Sequence, residues 1–196
     1  MNDSAPVSAV AFAGSLRRAS YNRALLAACR ELAPADLALT IVTLDDVPLF
    51  NEDVEAAGDP PGVVALRAAV AAADGLLIAT PEYNHGVPGV TKNAIDWLSR
   101  PPRGSVLDGK PVAILGASPG MTGSARGQSQ LRQAFEFTNS YCLPQPEVLV
   151  ADARDRFDSE LRLVHERTRA HLAKFLVAFA AWIRRLRRRA DGGDGA

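Results

Sequence analysis

Apolar positions along the 196-residue chain follow two rhythms. Short unbroken runs occur at Val7 to Ala13, Gly75 to Ala79 and Pro111 to Ala117, interrupted only by Ser8. Runs of this length suit strands buried on both faces of a parallel sheet. Leu37 to Leu44 alternates and is rich in β-branched residues, which predicts a second strand. Leu143 to Val150 contains a short fifth strand, and Pro144 and Pro146 place it at an edge. Between these runs the spacing turns helical. It predicts helices over Arg23 to Leu32, Val63 to Ala73, Val90 to Leu98 and Gln128 to Phe137. A long amphipathic helix is predicted over Phe157 to Arg189, with Leu161, Val164, Leu172, Phe175, Leu176, Phe179, Trp182 and Ile183 on its apolar side. Asp45 to Pro61 reads as a loop long enough for a functional excursion or an oligomer contact.

Strand and helix therefore alternate five times, which predicts an α/β three-layer sandwich around a five-stranded parallel sheet. Right-handed crossovers restrict the topology, and the order 2-1-3-4-5 is the expected one. In that order the loops after strands one, three and four lie side by side at the carboxyl edge, where open α/β sheets bind ligands. Those loops are also the polar ones bounded by Gly and Pro. The chain is expected to form one domain over residues 1–190, with a disordered tail at 191–196.

The first loop is Gly14-Ser15-Leu16-Arg17-Arg18-Ala19-Ser20-Tyr21-Asn22. It leads from a strand into a helix N-terminus, where free N–H groups and the helix dipole favour an anion. Either Arg17 or Arg18 can pair with a phosphate. Neither Gly-Lys-Ser/Thr nor GxGxxG is present, so one terminal phosphate fits better than ATP or a dinucleotide. Taken alone, the loop reads equally well as a helix cap by Ser20 or Asn22 with two solvated arginines. The central loop, Thr80 to Gly89, carries Glu82, Tyr83, Asn84 and His85 between Pro81 and Pro88. The third is Ser118-Pro119-Gly120-Met121-Thr122-Gly123-Ser124.

Net charge is zero, so no overall field draws the chain to nucleic acid or membrane. The run Arg184 to Arg189 reads as a solvated helix end whose cations suit the negative dipole terminus. Cys29 and Cys142 have no metal or CxxC spacing, and two reduced thiols fit a cytoplasmic protein. No signal peptide or membrane span is expected. His85, His165 and His171 match no metal spacing, and the last two are expected on the long helix as surface or packing residues. No Ser/His/Asp or Cys/His set stands out, which suits a cofactor that carries the chemistry.

Gly14-Ser15-Leu16-Arg17 with Ser20 and Asn22, Pro81-Glu82-Tyr83-Asn84, Val87-Pro88-Gly89, Lys92-Asn93-Ala94-Ile95-Asp96-Trp97 and Ser118-Pro119-Gly120 together resemble the NADPH-dependent FMN reductase family, in particular its bacterial chromate/quinone reductases. The resemblance covers residues 7 to 150. It implies a flavodoxin-like fold, noncovalent FMN, NADPH or NADH as hydride donor, a small-molecule acceptor such as a quinone, and a homodimer or homotetramer. It further implies that Ser15, Arg17, Ser20 and Asn22 bind the FMN phosphate. Pro81, Glu82, Tyr83 and Asn84 would line the ring, largely through backbone groups, and Ser118 and Gly120 would close its other side. No side chain is expected to be catalytic, because flavin N5 takes the hydride in a ping-pong sequence. His85 and Gly127-Gln128-Ser129-Gln130 depart from the aromatic character of close relatives. A flavodoxin-type electron carrier is the alternative, disfavoured by neutral charge and by an arginine in the phosphate loop.

Overall fold

In a computed structural model, residues 5–101 and 104–191 are described. The expected tail lies outside them apart from Asp191. The chain runs β1 (Val7–Ala13), α1 (Tyr21–Leu32), β2 (Leu37–Ile41), α2 (Glu52–Ala57), α3 (Pro61–Ala72), β3 (Gly75–Ala79), α4 (Gly89–Leu98), β4 (Pro111–Ala117), α5 (Ala125–Phe137), β5 (Tyr141–Cys142), β6 (Val148–Val150) and α6 (Glu166–Asp191). The strand order is β2-β1-β3-β4-β5, with β6 also paired to β4, and every pairing is parallel.

Successive strand residues face opposite sides of a sheet, and here the two sides are built from different sizes. Ala9, Ala11, Ala13, Ala79, Ala113 and Ala117 face the layer of α1 and α6. Phe12, Leu76, Ile78 and Ile114 face α3, α4 and α5. Leu77 and Leu115 are the larger residues of β3 and β4 on the first side, and Phe175, Phe179 and Ile183 of α6 fill the space over its alanines. At Gly75 the approach is so close that a Cβ would sit 2.7 Å from Ile183 Cδ1. Close-packed interiors need such complementarity of large and small.

Four expectations are corrected. The fifth strand is two pieces, β5 and β6, which pair with opposite ends of β4. Pro144 and Pro146 lie between them and have no N–H to donate to the ladder. The long helix starts at Glu166 rather than Phe157, because Phe157 and Leu163 form an antiparallel bridge and Leu161 takes φ +61°. His165 therefore precedes the helix, and its Nδ1 lies 2.9 Å from Thr168 Oγ1. The loop after β2 contains α2, whose Asn51 side chain caps the helix by accepting from Asp53 N–H. The second strand stops at Ile41 rather than Leu44.

Two members of the arginine run are paired rather than merely solvated. Arg184 pairs with Asp36 and donates to Ala5 O, and Arg187 pairs with Asp74. Asp36 and Asp74 precede β2 and β3, so these cations pin α6 to the amino edge of the sheet. Arg185 instead lies 5.8 Å from the centre of the Trp182 ring. Among the described residues, no helix is long and apolar enough to cross a membrane.

Arg184→Ala is expected to cost about 1–2 kcal/mol, since charged hydrogen bonds are lost on a side chain only 11% exposed. Arg185→Ala should cost less than about 0.5 kcal/mol. Urea unfolding of both variants checks the order, and equal losses would restore the solvated-end reading.

Candidate functional site

The loop after β1 turns sharply because Gly14 lies against α4. A Cβ there would sit 1.8 Å from Thr91 Oγ1. Thr91 is buried and shares a 3.2 Å hydroxyl contact with Thr80, the first residue after β3. Two loops and a helix thereby meet at one point. Beyond Gly14 the backbone is open: among the described residues, the N–H groups of Ser15, Leu16 and Arg17 have no acceptor. Ser20 caps α1, its Oγ accepting from the N–H groups of Asn22 at 3.2 Å and Arg23 at 3.4 Å. The Ser20 hydroxyl proton remains available to a ligand. Arg17 has no carboxylate within ion-pair distance among the described residues, and its guanidinium lies 5.9 Å from the centre of the Tyr21 ring. Consecutive free N–H groups, a hydroxyl, an uncompensated cation and a helix N-terminus form a cradle for an anion.

Asn22 has a structural part besides the one expected. Its side chain is buried, and its amide donates to Ala117 O at 3.0 Å while its oxygen accepts from Ala117 N–H at 2.9 Å. With both ends engaged, it ties α1 to the end of β4, and the second N–H of its amide has no acceptor among the described residues.

The central loop is a hairpin. Tyr83 and Gly86 exchange backbone hydrogen bonds of 3.2 and 3.0 Å, and the two residues between them, Asn84 and His85, take φ +50° and +64°. Two left-handed residues define a type I′ turn, which usually carries Gly at its second position. The Glu82 carboxylate reaches away from this turn to α5. One oxygen accepts from Arg126 N–H at 2.8 Å and Gly127 N–H at 3.2 Å, and the other pairs with the Arg126 guanidinium at 3.2 Å. Burial by itself pushes this carboxyl up. The bonds from Gly127 and Arg126 outweigh it and hold the group below its ordinary value of 4.5. Glu82 is thus a side-chain cap on α5 as well as a loop residue.

The third loop hangs on the segment after β6. Ser118 N–H donates to Val150 O, Ala153 N–H to Ser118 O, and Asp152 N–H to Gly120 O, at 2.9, 3.0 and 3.2 Å. The Ser118 hydroxyl accepts from Gly120 N–H.

One cleft is lined by Ser15, Arg17, Ser20, Asn22, Pro81, Glu82, Tyr83 and Ser118, together with Tyr21, Ala117 and Pro119. Asn84 sits at the hairpin tip and Gly120 beyond Pro119, and neither lines it. Three supports were missed from sequence. Thr91 has no signature beyond its place at a helix start. Tyr21 has no signature in the sequence beyond its place in the first loop. Phe157, whose ring lies 5.3 Å from Tyr21, carries the apolar spacing of a helix start in the sequence. Asn93 and Trp97, quoted only as part of a motif, pin the excursion after β2. The Asn93 amide and Trp97 Nε1 both donate to Pro48 O, each at 2.8 Å.

Comparison with known proteins points the same way. A profile of NADPH-dependent FMN reductases matches residues 7–155. The chain is 45% identical over 181 residues to a NAD(P)H-dependent FMN reductase of Pseudomonas aeruginosa, covering 92% of this chain and 97% of the relative. It is 44% identical over 172 residues to a 2-hydroxy-1,4-benzoquinone reductase of a Burkholderia species, covering 87% and 93%. Among solved structures it resembles FerB, a flavoenzyme NAD(P)H:(acceptor) oxidoreductase from Paracoccus denitrificans. The TM-score is 0.84 at 32% identity, covering 91% of this chain and 98% of FerB.

The Glu82 cap carries a pH signature. A carboxyl held low in the fold stabilises fully above its unfolded value, and that contribution is lost as pH falls through the folded one. The stability gap between wild type and Glu82→Gln should be steady near neutral pH and narrow as pH falls below 4.5. Urea unfolding across a pH series reads it. A gap that widens towards acid would mean that the carboxylate is not held by α5.

Proposed function

We propose that this chain, which belongs to the NADPH-dependent FMN reductase family, holds FMN in the cleft at the ends of β1, β3 and β4. It is an FMN-dependent NAD(P)H oxidoreductase. The observation that carries the placement is the row of N–H groups at Ser15, Leu16 and Arg17, free among the described residues, beside an arginine that pairs with no carboxylate there. That donor set fits one phosphate ester. Ser15, Arg17, Ser20 and the second amide N–H of Asn22 take the phosphate, and the Asn22 bonds to Ala117 fix the loop that presents them. Pro81, Glu82 and Tyr83 offer backbone groups to the ring edge, with Asn84 next to them at the hairpin tip and Tyr83, 55% exposed, free to wall the ring. Ser118 closes the opposite side, and Gly120 supports it by donating its N–H to the Ser118 hydroxyl.

The chemistry supplied when FMN is bound is acceptance of hydride from NAD(P)H and its delivery to an acceptor, the two substrates using the site in turn. Quinones are the acceptor class that the relatives' names favour. The protein's task is to bind and orient, and no side-chain proton donor is required. The Glu82 carboxylate, spent on α5, is a framework group rather than an acid.

One domain over residues 1–190 performs this, and the working assembly is a homodimer or homotetramer. A groove of about 530 Å³ between α4 and α5, lined by Val87, Ile95, Leu131 and Phe137, supports that assembly. Phe137 is 93% exposed there, an apolar ring that a second copy would cover.

The purified protein should be yellow and release FMN rather than FAD on heating. NADPH and a quinone varied together should give the parallel initial-rate lines of a ping-pong sequence. Arg17→Ala should weaken FMN binding about tenfold or more, and Arg18→Ala far less. A colourless protein refutes the placement, and equal losses misassign the arginine. For the assembly, Phe137→Asp should shift the sedimentation profile towards monomer. An unchanged profile rules that groove out as the contact.

A further inference from the structure

We infer that Tyr21 is a positioning residue for the phosphate-binding arginine, and that Phe157 is the base on which Tyr21 stands. The inference rests on the reading of Arg17 as a phosphate ligand and deepens it. The Arg17 guanidinium carbon lies 5.9 Å from the centre of the Tyr21 ring, within the range of cation–π attraction. The Tyr21 ring in turn lies 5.3 Å from that of Phe157, tilted by 41°. That is an ordinary aromatic pairing distance.

A freely moving arginine loses rotamer freedom when it grips a phosphate, and that loss subtracts from affinity. Arg17 is exposed and has no carboxylate to restrain it among the described residues. Among the described residues, the Tyr21 ring is its one restraint. A ring attracts a cation without neutralising it, so the guanidinium keeps its full charge for the anion. An aspartate in the same place would fix the arginine and cancel it.

Tyr21 is only half-buried, so it needs a floor. Phe157 supplies one at 6% exposure. Phe157 is held by its bridge to Leu163 and by its N–H on Ala153 O, at 3.2 Å. Ala153 N–H also donates to Ser118 O. The segment after β6 thus underpins both the phosphate end and the third loop of the cleft, although it contributes no direct ligand.

A structural role and a positioning role separate by flavin selectivity. Riboflavin shares the ring and ribityl chain of FMN but lacks the phosphate. Holoprotein is equilibrated with rising riboflavin, the bound flavins are released by heat, and chromatography gives the preference for FMN over riboflavin. Arg17→Ala should lower that preference about tenfold or more. Tyr21→Leu should lower it about three- to fivefold, the weight of an exposed cation–π contact. Tyr21→Phe, which keeps the ring, should keep the preference. The double variant should be no less selective than Arg17→Ala alone, since Tyr21 acts only through Arg17.

If Tyr21→Leu does not fold, Phe157→Leu should give a smaller loss in the same direction. A preference unchanged in Tyr21→Leu, or falling additively with Arg17→Ala, overturns the positioning role. A preference unchanged in Arg17→Ala refutes the phosphate reading beneath it.

Discussion

The arrangement of the cleft depends on one buried carboxamide. Asn22 lies in the first turn of α1 and both donates to and accepts from Ala117, 95 positions away at the end of β4. Few side chains can do both at once, since a carboxylate only accepts and an ammonium only donates. The pair fixes the loop after β1 relative to β4, which is not its neighbour in the sheet. The strand between them, β3, is joined through Thr80 and Thr91 against Gly14. Breaking the amide pair would leave Ala117 N–H and C=O unpaired in a buried place, a cost of about 1–3 kcal/mol for each orphaned group.

Rigidity of this kind suits a site whose work is orientation. The free N–H groups of Ser15, Leu16 and Arg17 are useful because nothing among the described residues competes for them and the backbone carrying them is tied down. The same logic governs the central loop. Glu82 anchors it to α5 from one side, and the Tyr83–Gly86 hairpin closes it on the other. The backbone polar groups between are held in place before any ligand arrives, so little ordering cost remains.

Much of this was legible in the chain. β1, β3 and β4 are apolar runs bounded by Gly, Pro or polar loops, and β1 and β4 end at the residues expected. Neighbouring loops at the carboxyl edge follow from strand order alone. What escaped depended on contacts distant in sequence. Pattern cannot reveal that the Glu82 carboxylate serves α5, 44 residues on. Nor does the apolar spacing from Phe157 onward, which mimics a helix, disclose the bridge to Leu163 that prevents one. The arginine run read as solvent-facing because Asp36 and Asp74, its partners, lie more than 100 residues upstream. α2 buries none of its residues, so no apolar stripe announced it.

The divided strand has a bearing on how the molecule lives among others. A continuous outer strand offers an unpaired row of N–H and C=O groups on which a stray chain can build. Here that border is two fragments of two and three residues, β5 and β6, with Pro144 and Pro146 between them. An incoming strand finds no ladder long enough to template. The irregularity that obscured the fifth strand in the sequence is thus a guard against aggregation on that side.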